Sequence, residues 1–168
     1  MNVTYEKKEA FTLIGYHTQI RHEEGYQKCP EFWTTEYSEK YARLWQTMRP
    51  ETPVEKALLE NNIGTFAICA DAEDSFTYWI AGMYQGGEVP EGLELCTFPA
   101  GEWAVFISKG PIPGALQNLN TAIWQEWFPT EGQRVHANGS ITLEVYSPGD
   151  TQSPDYECYI WMPVGKTE

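Results

Sequence analysis

Glu157, Tyr159 and Trp161 stand at alternate positions in Asp155-Tyr156-Glu157-Cys158-Tyr159-Ile160-Trp161-Met162-Pro163-Val164. A strand sends alternate side chains to opposite faces. One face of this segment then holds a carboxylate beside two large rings, and the other holds Tyr156, Cys158, Ile160 and Met162, a good core set. Removing an ion from water costs several kcal/mol unless something compensates. Aromatic faces attract cations by about 0.5–2 kcal/mol each. A carboxylate walled by rings is therefore a candidate receptor for an organic cation. The competing reading is that Glu157 is a solvated charge at a sheet edge.

The same alternation applies to the other strand-like segments. In Ile141–Tyr146, Leu143 and Val145 make an apolar face, which sends Glu144 and Tyr146 the other way, toward the side expected for Glu157. In Ser75–Gln85, Thr77, Trp79, Ala81 and Met83 are expected to pack on a helix, leaving Tyr78 and Ile80 outward. In Glu102–Lys109, Trp103, Val105 and Ile107 share a face. A bulge or a slip of one residue would exchange every face.

The elements that position these residues follow a repeated order. Residues 3–8 and 11–21 read as extended. A helix is predicted from Pro30 to Met48, with Trp33, Tyr37, Tyr41, Leu44 and Met48 at helical spacing; Pro30 opens it and Pro50 stops it. A short helical turn over 54–60 and strands at Thr65–Asp71 and Ser75–Gln85 follow, joined by the acidic turn Asp71-Ala72-Glu73-Asp74. Gly86-Gly87-Glu88-Val89-Pro90 reads as a linker. Beyond it come strands at Leu93–Phe98 and Glu102–Lys109, then a helix from Ala115 to Phe128 with Leu116, Leu119, Ile123 and Trp127 inward and Pro129 ending it. Strands at Ile141–Ser147 and Asp155–Val164 close the chain. This pattern predicts one α+β domain over residues 1–168, built from duplicated β-α-β-β halves at about 1–87 and 88–168. An antiparallel sheet carries the helices, and a central cleft between the halves is the expected ligand site.

Composition narrows the function. The 168 residues carry a formal net charge of −13, with seven Trp and ten Tyr. That charge argues against direct nucleic-acid binding, which needs basic patches, and favours cationic ligands or a basic protein partner. The first residues lack the apolar core of a secretory signal, and no stretch is long and apolar enough for a membrane span, so a cytoplasmic protein without a membrane partner is expected. Cys29, Cys69, Cys96 and Cys158 are unevenly spaced and are expected as reduced, mostly buried thiols. His17, His22 and His136 are dispersed and define no zinc site. No cofactor is implied.

Phe98-Pro99-Ala100-Gly101-Glu102-Trp103-Ala104-Val105-Phe106, Lys109-Gly110-Pro111, Ile123-Trp124-Gln125-Glu126-Trp127-Phe128-Pro129, Ile141–Tyr146 and Tyr156–Val164, taken as an ordered set, resemble the GyrI-like, or AraC-type effector-binding, domains. The likeness covers most of residues 93–164, and more loosely Ser75–Tyr84. It implies a duplicated β-α-β-β fold with an acidic, aromatic pocket for lipophilic cations and other small effectors. Glu144 and Glu157 fall where the family's drug-binding regulators tend to carry pocket carboxylates, and Tyr159 matches a pocket tyrosine. Trp103 stands where the family often has tyrosine, which keeps a ring and loses a hydroxyl. Tyr78, and Trp33 reaching from its helix, complete the ligand-binding set. Many relatives carry a helix-turn-helix before this module, whereas here the module starts near residue 3, so direct transcription control is not expected.

Three functions are compatible with these residues. The first is a binding module for lipophilic or aromatic organic cations. The second, which the resemblance also implies, is a hydrolase of small electrophiles with a pocket glutamate as general acid or base. No nucleophile-base-orienter set and no Gly-x-Ser-x-Gly occurs, so binding is favoured over turnover. The third is a protein-interaction module of the gyrase-inhibitor kind. A protein partner or a homodimer stays open.

Overall fold

A computed structural model describes residues 1–165. It has eight strands: β1 (Val3–Lys8), β2 (Phe11–Arg21), β3 (Phe66–Asp71), β4 (Ser75–Met83), β5 (Glu94–Phe98), β6 (Gly101–Lys109), β7 (Ile141–Tyr146) and β8 (Glu157–Val164). Four α-helices accompany them: α1 (Gly25–Trp33), α2 (Ala42–Thr47), α3 (Pro53–Glu60) and α4 (Gly114–Ala122). Every expected strand is present, and the fold is α+β with antiparallel sheet and helices packed on it.

The helices depart from expectation at their prolines. Pro30 lies inside α1 rather than opening it, and the helix continues past Trp33 as a wider π-helical stretch, Thr34–Glu39. Likewise α4 runs on through a π-helical stretch, Ile123–Gly132, that includes Pro129 instead of ending before it. Proline lacks the N–H that a regular helix would use, and local π-type widening accommodates irregular hydrogen bonding. The expected short turn is a full helix, α3. Thr52 caps it by accepting from the Glu55 N–H at 3.1 Å, and Pro53 sits at its first turn.

The chain divides into two compact units, one of residues 1–10, 69–71 and 99–168, the other of residues 11–68 and 72–98. These differ from consecutive halves because β1 and β5 each pair outside their own half. Val3–Lys8 runs antiparallel to β6, from Val3 opposite Phe106 to Lys8 opposite Gly101. Phe11–Gly15 of β2 pairs with β5.

In the first unit the strand order is β1-β6-β8-β7. Its core lies between one sheet face (Ala104, Phe106, Cys158, Ile160, Met162) and the helical layer bearing Leu116, Ile123 and Trp127. The Phe106 and Trp127 rings meet edge-on at 4.8 Å. In the second unit β3, β4, β2 and β5 lie in that order. Ile14 and Ile80 pack there against Leu44, Ala57, Leu58 and Ile63 from the helical side. Each buried leucine or isoleucine among them contributes about 1.5–3 kcal/mol through burial.

The second unit closes tightly at Gly82, where a Cβ would collide with the backbone carbonyl oxygens of Asn61 and Asn62. Backbone cannot yield as a flexible side chain does. Gly82→Ala should therefore cost about 1–3 kcal/mol, seen as a lower urea midpoint. An unchanged midpoint would show that this approach does not constrain the fold.

Candidate functional site

Strand pairing decides which residues can meet. In the first unit β8 lies between β6 and β7. Val105 stands opposite Trp161 and Ile107 opposite Tyr159 on one side; on the other, Leu143 stands opposite Trp161 and Val145 opposite Tyr159. Directly paired residues share a face. Trp103, Val105, Ile107, Leu143, Val145, Glu157, Tyr159 and Trp161 therefore point to one face, as expected for Trp103, Glu157, Tyr159 and Trp161.

Glu144 does not join them. It pairs with Ile160, and Tyr146 pairs with Cys158, so both face the helical layer. The expectation that Glu144 and Glu157 share a face is overturned. Leu143 and Val145 were correctly grouped, but their apolar face is the one carrying Trp161. Glu144 is half-buried and accepts a hydrogen bond from the Tyr146 hydroxyl at 2.8 Å. Burial, aided by the Glu144 charge and opposed by Ser108, pushes the neighbouring Cys158 thiol up to about 11. Cys158 is thus a protonated core thiol. Cys29, Cys69 and Cys96 are half-buried rather than buried.

Glu157, at the start of β8, is exposed, so the expectation of a sequestered carboxylate fails there. Its strand partner is Lys109. It is a solvated charge, as the competing reading has it, although β8 is an interior strand and not a sheet edge. Tyr159 and Trp161 are half-buried, and Trp103 is buried. Trp103 meets Trp161 edge-on with ring centres 6.3 Å apart, supporting that ring from beside it.

Trp161 already holds a cation. Lys8 Nζ lies 3.9 Å from the centre of its ring, and Glu6 Oε1 is 3.3 Å from the same ammonium. Sequence reasoning missed this contact. Thr4, Glu6 and Lys8 alternate visibly in β1, but nothing local announces that β1 pairs with β6, which is what carries Lys8 to this face.

Tyr78 and Trp33 belong to the second unit, and their placement corrects the faces assigned to β4. Thr18 pairs with Tyr78 and Tyr16 with Ile80, and Ile80 packs on the helices. Trp79 lies on the reverse face, its ring centre 4.5 Å from that of His17; His17 also contacts the Glu94 carboxylate. Tyr78 is 2 % exposed, and its hydroxyl accepts from Trp33 Nε1 at 2.8 Å. Around them Phe32, Phe76 and Tyr37 complete an aromatic layer. Its polar atoms are engaged by backbone: Tyr37 donates to Ile63 O at 2.7 Å, Tyr16 to Glu36 O at 2.9 Å, and Trp45 Nε1 to Tyr37 O at 2.9 Å. This is a packed layer with satisfied hydroxyls.

Among the described residues no His, Cys, Asp and Glu side chains gather as a metal-binding group, and no helix is long and apolar enough to cross a membrane.

Fold and sequence together define a GyrI-like effector-binding domain. The model of the Cass2 family, integron-associated effector binding protein, matches residues 4–164, and the chain belongs to that family. Three solved structures are similar. SAV2435 bound to tetraphenylphosphonium is 22% identical, covering 98% of this chain and 94% of that one, with a TM-score of 0.75. A putative bacterial transcription regulation protein from Staphylococcus aureus is 22% identical over 99% of each chain, with a TM-score of 0.72. An integron cassette protein from the mobile metagenome of Vibrio cholerae is 11% identical, covering 96% of this chain and 95% of that one, with a TM-score of 0.63. No curated protein sequence matches.

The second unit's aromatic layer has a signature in alkali. Burial pushes the Tyr37 hydroxyl up to about 12 and raises Tyr16 further, with Tyr41, Tyr37 and Glu36 adding to burial at Tyr16. Both must ionise on unfolding at high pH, so the unfolded state binds fewer protons there. Stability should be full below about pH 10, the ordinary tyrosine range, and fall as pH rises from there through about 12. Tyr37→Phe should flatten that decline in urea titrations at stepped pH. A decline just as steep in the variant would deny Tyr37 its part.

Proposed function

We propose that this chain binds lipophilic aromatic organic cations, on the face of the first unit formed by Tyr159 and Trp161 with Trp103 beside them and Glu157 at the rim. The observation that carries this reading is the Lys8 ammonium seated on Trp161: the ring face already serves as a cation acceptor. A relative of the same fold was solved with tetraphenylphosphonium, a bulky cation whose phenyl groups suit stacked rings. The net charge of −13 draws cations to the surface and disfavours direct contact with nucleic acid.

The rings and buried apolar area supply the affinity. An exposed carboxylate gains little from a cation in water and is screened by salt, so Glu157 chiefly steers the guest. Glu144 lies on the reverse face, accepting from the Tyr146 hydroxyl, and takes no part in this site. Tyr78 and Trp33 hold the second unit's core. Binding by rings needs no nucleophile, and turnover is not required by any residue of this face.

Tetraphenylphosphonium should quench tryptophan fluorescence saturably. Trp161→Ala should weaken binding about tenfold, corresponding to the loss of one ring, while Trp161→Phe retains most of it. Glu157→Gln should weaken it about two- to threefold at low salt, with the difference vanishing near 1 M salt. Circular dichroism checks that each variant is folded. Absence of binding by the unmutated protein, or full affinity in a folded Trp161→Ala variant, would sink this reading.

A further inference from the structure

We propose that Lys8 is an internal competitor for the cation site, lowering the affinity of every cationic guest by a common factor so that only bulky lipophilic cations bind strongly enough to displace it; this rests on the cation-binding reading above. Lys8 is the last residue of β1, and its strand partner Gly101 carries no side chain. Its chain can therefore lean across β6 toward β8. The ammonium lies 3.9 Å from the Trp161 ring centre and 3.3 Å from Glu6 Oε1. Glu6 is held in turn by Thr4, whose hydroxyl donates to Oε2 at 3.4 Å. All three residues alternate along β1 and share the Trp161 face. The Lys8 side chain is 19% exposed, against 50% for Glu6. The cation is thus settled on the ring, with a carboxylate neutralising it from the open side.

This arrangement reproduces what a cationic guest would need: a ring face and an anion. A tethered ammonium competes at high effective concentration. A small hydrated cation gains only the same ring attraction and does not outweigh it. A lipophilic cation adds buried apolar area, worth about 25 cal/mol per Å², and can displace the lysine. Displacement has somewhere to go. Lys8 also borders an open groove of about 710 Å³ with Lys7, Ala100, Gly101, Glu102 and Val164, where the ammonium regains water. Glu6, freed of its partner, would then offer the guest a second negative charge.

The test uses the full chain labelled with 5-fluorotryptophan, the Trp161 resonance being assigned through Trp161→Phe. Lys8→Met should shift that resonance before any ligand is added. Titrated with tetramethylammonium, Lys8→Met should bind about two- to fivefold more tightly than the unmutated protein, the range expected for one partly exposed cation–ring contact. Tetraphenylphosphonium should gain by the same factor, since a tethered competitor opposes every guest of the site equally. Lys8→Arg should resemble the unmutated protein, and Lys56→Met, which removes a positive charge from α3 of the second unit, should change neither resonance nor affinity. A purely structural lysine would lower stability without raising affinity. An unmoved Trp161 resonance overturns the proposed contact whatever the ligand results. Unmutated protein that binds tetraphenylphosphonium while Lys8→Met shows no gain for either cation overturns the competitor role alone. Failure of the unmutated protein to bind any of these cations removes the cation-binding reading and this inference with it.

Discussion

The hydrogen-bonded seating of β8 between β6 and β7 is the constraint on which the candidate site depends. In an antiparallel ladder, paired residues emerge on the same side and their neighbours on the other. Once Trp161 is set opposite both Val105 and Leu143, Tyr159 and Glu157 must lie with it, and Cys158, Ile160 and Met162 must enter the core beneath α4 and the stretch that follows it. Glu144 and Tyr146 are carried to that helical side by the same rule. A slip of one residue would bury Glu157 and expose Ile160, exchanging a solvated charge for an apolar side chain. The apolar core face thus locks the register, and the register places the rings.

Two aromatic groups in the same chain do different work because their polar ends differ in fate. In the second unit the Tyr16 and Tyr37 hydroxyls and the Trp45 indole N–H are bound to backbone carbonyls, and the Tyr78 hydroxyl takes the Trp33 indole proton. Their rings are spent on one another at edge-on angles, an arrangement worth about 0.5–1.5 kcal/mol per pair beyond burial. In the first unit Trp161 is half-buried and presents its face to a cation. Rings become a receptor only where a face remains reachable. The aromatic side chains are thus packed against one another in one unit and leave a ring face to an ammonium in the other.

Much of the architecture was legible in the residues. Alternation located all eight strands, and helical spacing of Trp33, Tyr37, Tyr41 and Leu44 found the layer that covers the second unit. Pro30 and Pro129 misled the helix ends: Pro30 lies within α1 itself, and Pro129 within a π-type stretch whose irregular hydrogen bonding admits it. The geometry of the candidate site was legible in part. Alternation along one strand put Glu157, Tyr159 and Trp161 together, and Trp103, set with them by the family resemblance, lies on the same face. Glu144 and Tyr78 were assigned to the wrong sides, and Lys8 was not recognised at all.

Those outcomes have one physical cause. Alternation is a property of local backbone geometry, so residue order alone determines which side chains travel together along a strand. It also fixes the net negative charge and the supply of rings. Which of the two alternate sets meets a helix depends on partners distant in the chain. The pairing of β1 with β6, and of β8 with both β6 and β7, is chosen by the collective burial of Phe106, Ile160, Met162, Ile123 and Trp127. Only that tertiary choice put Glu157 in water, turned Glu144 toward the helices, and brought Lys8 onto the ring of Trp161.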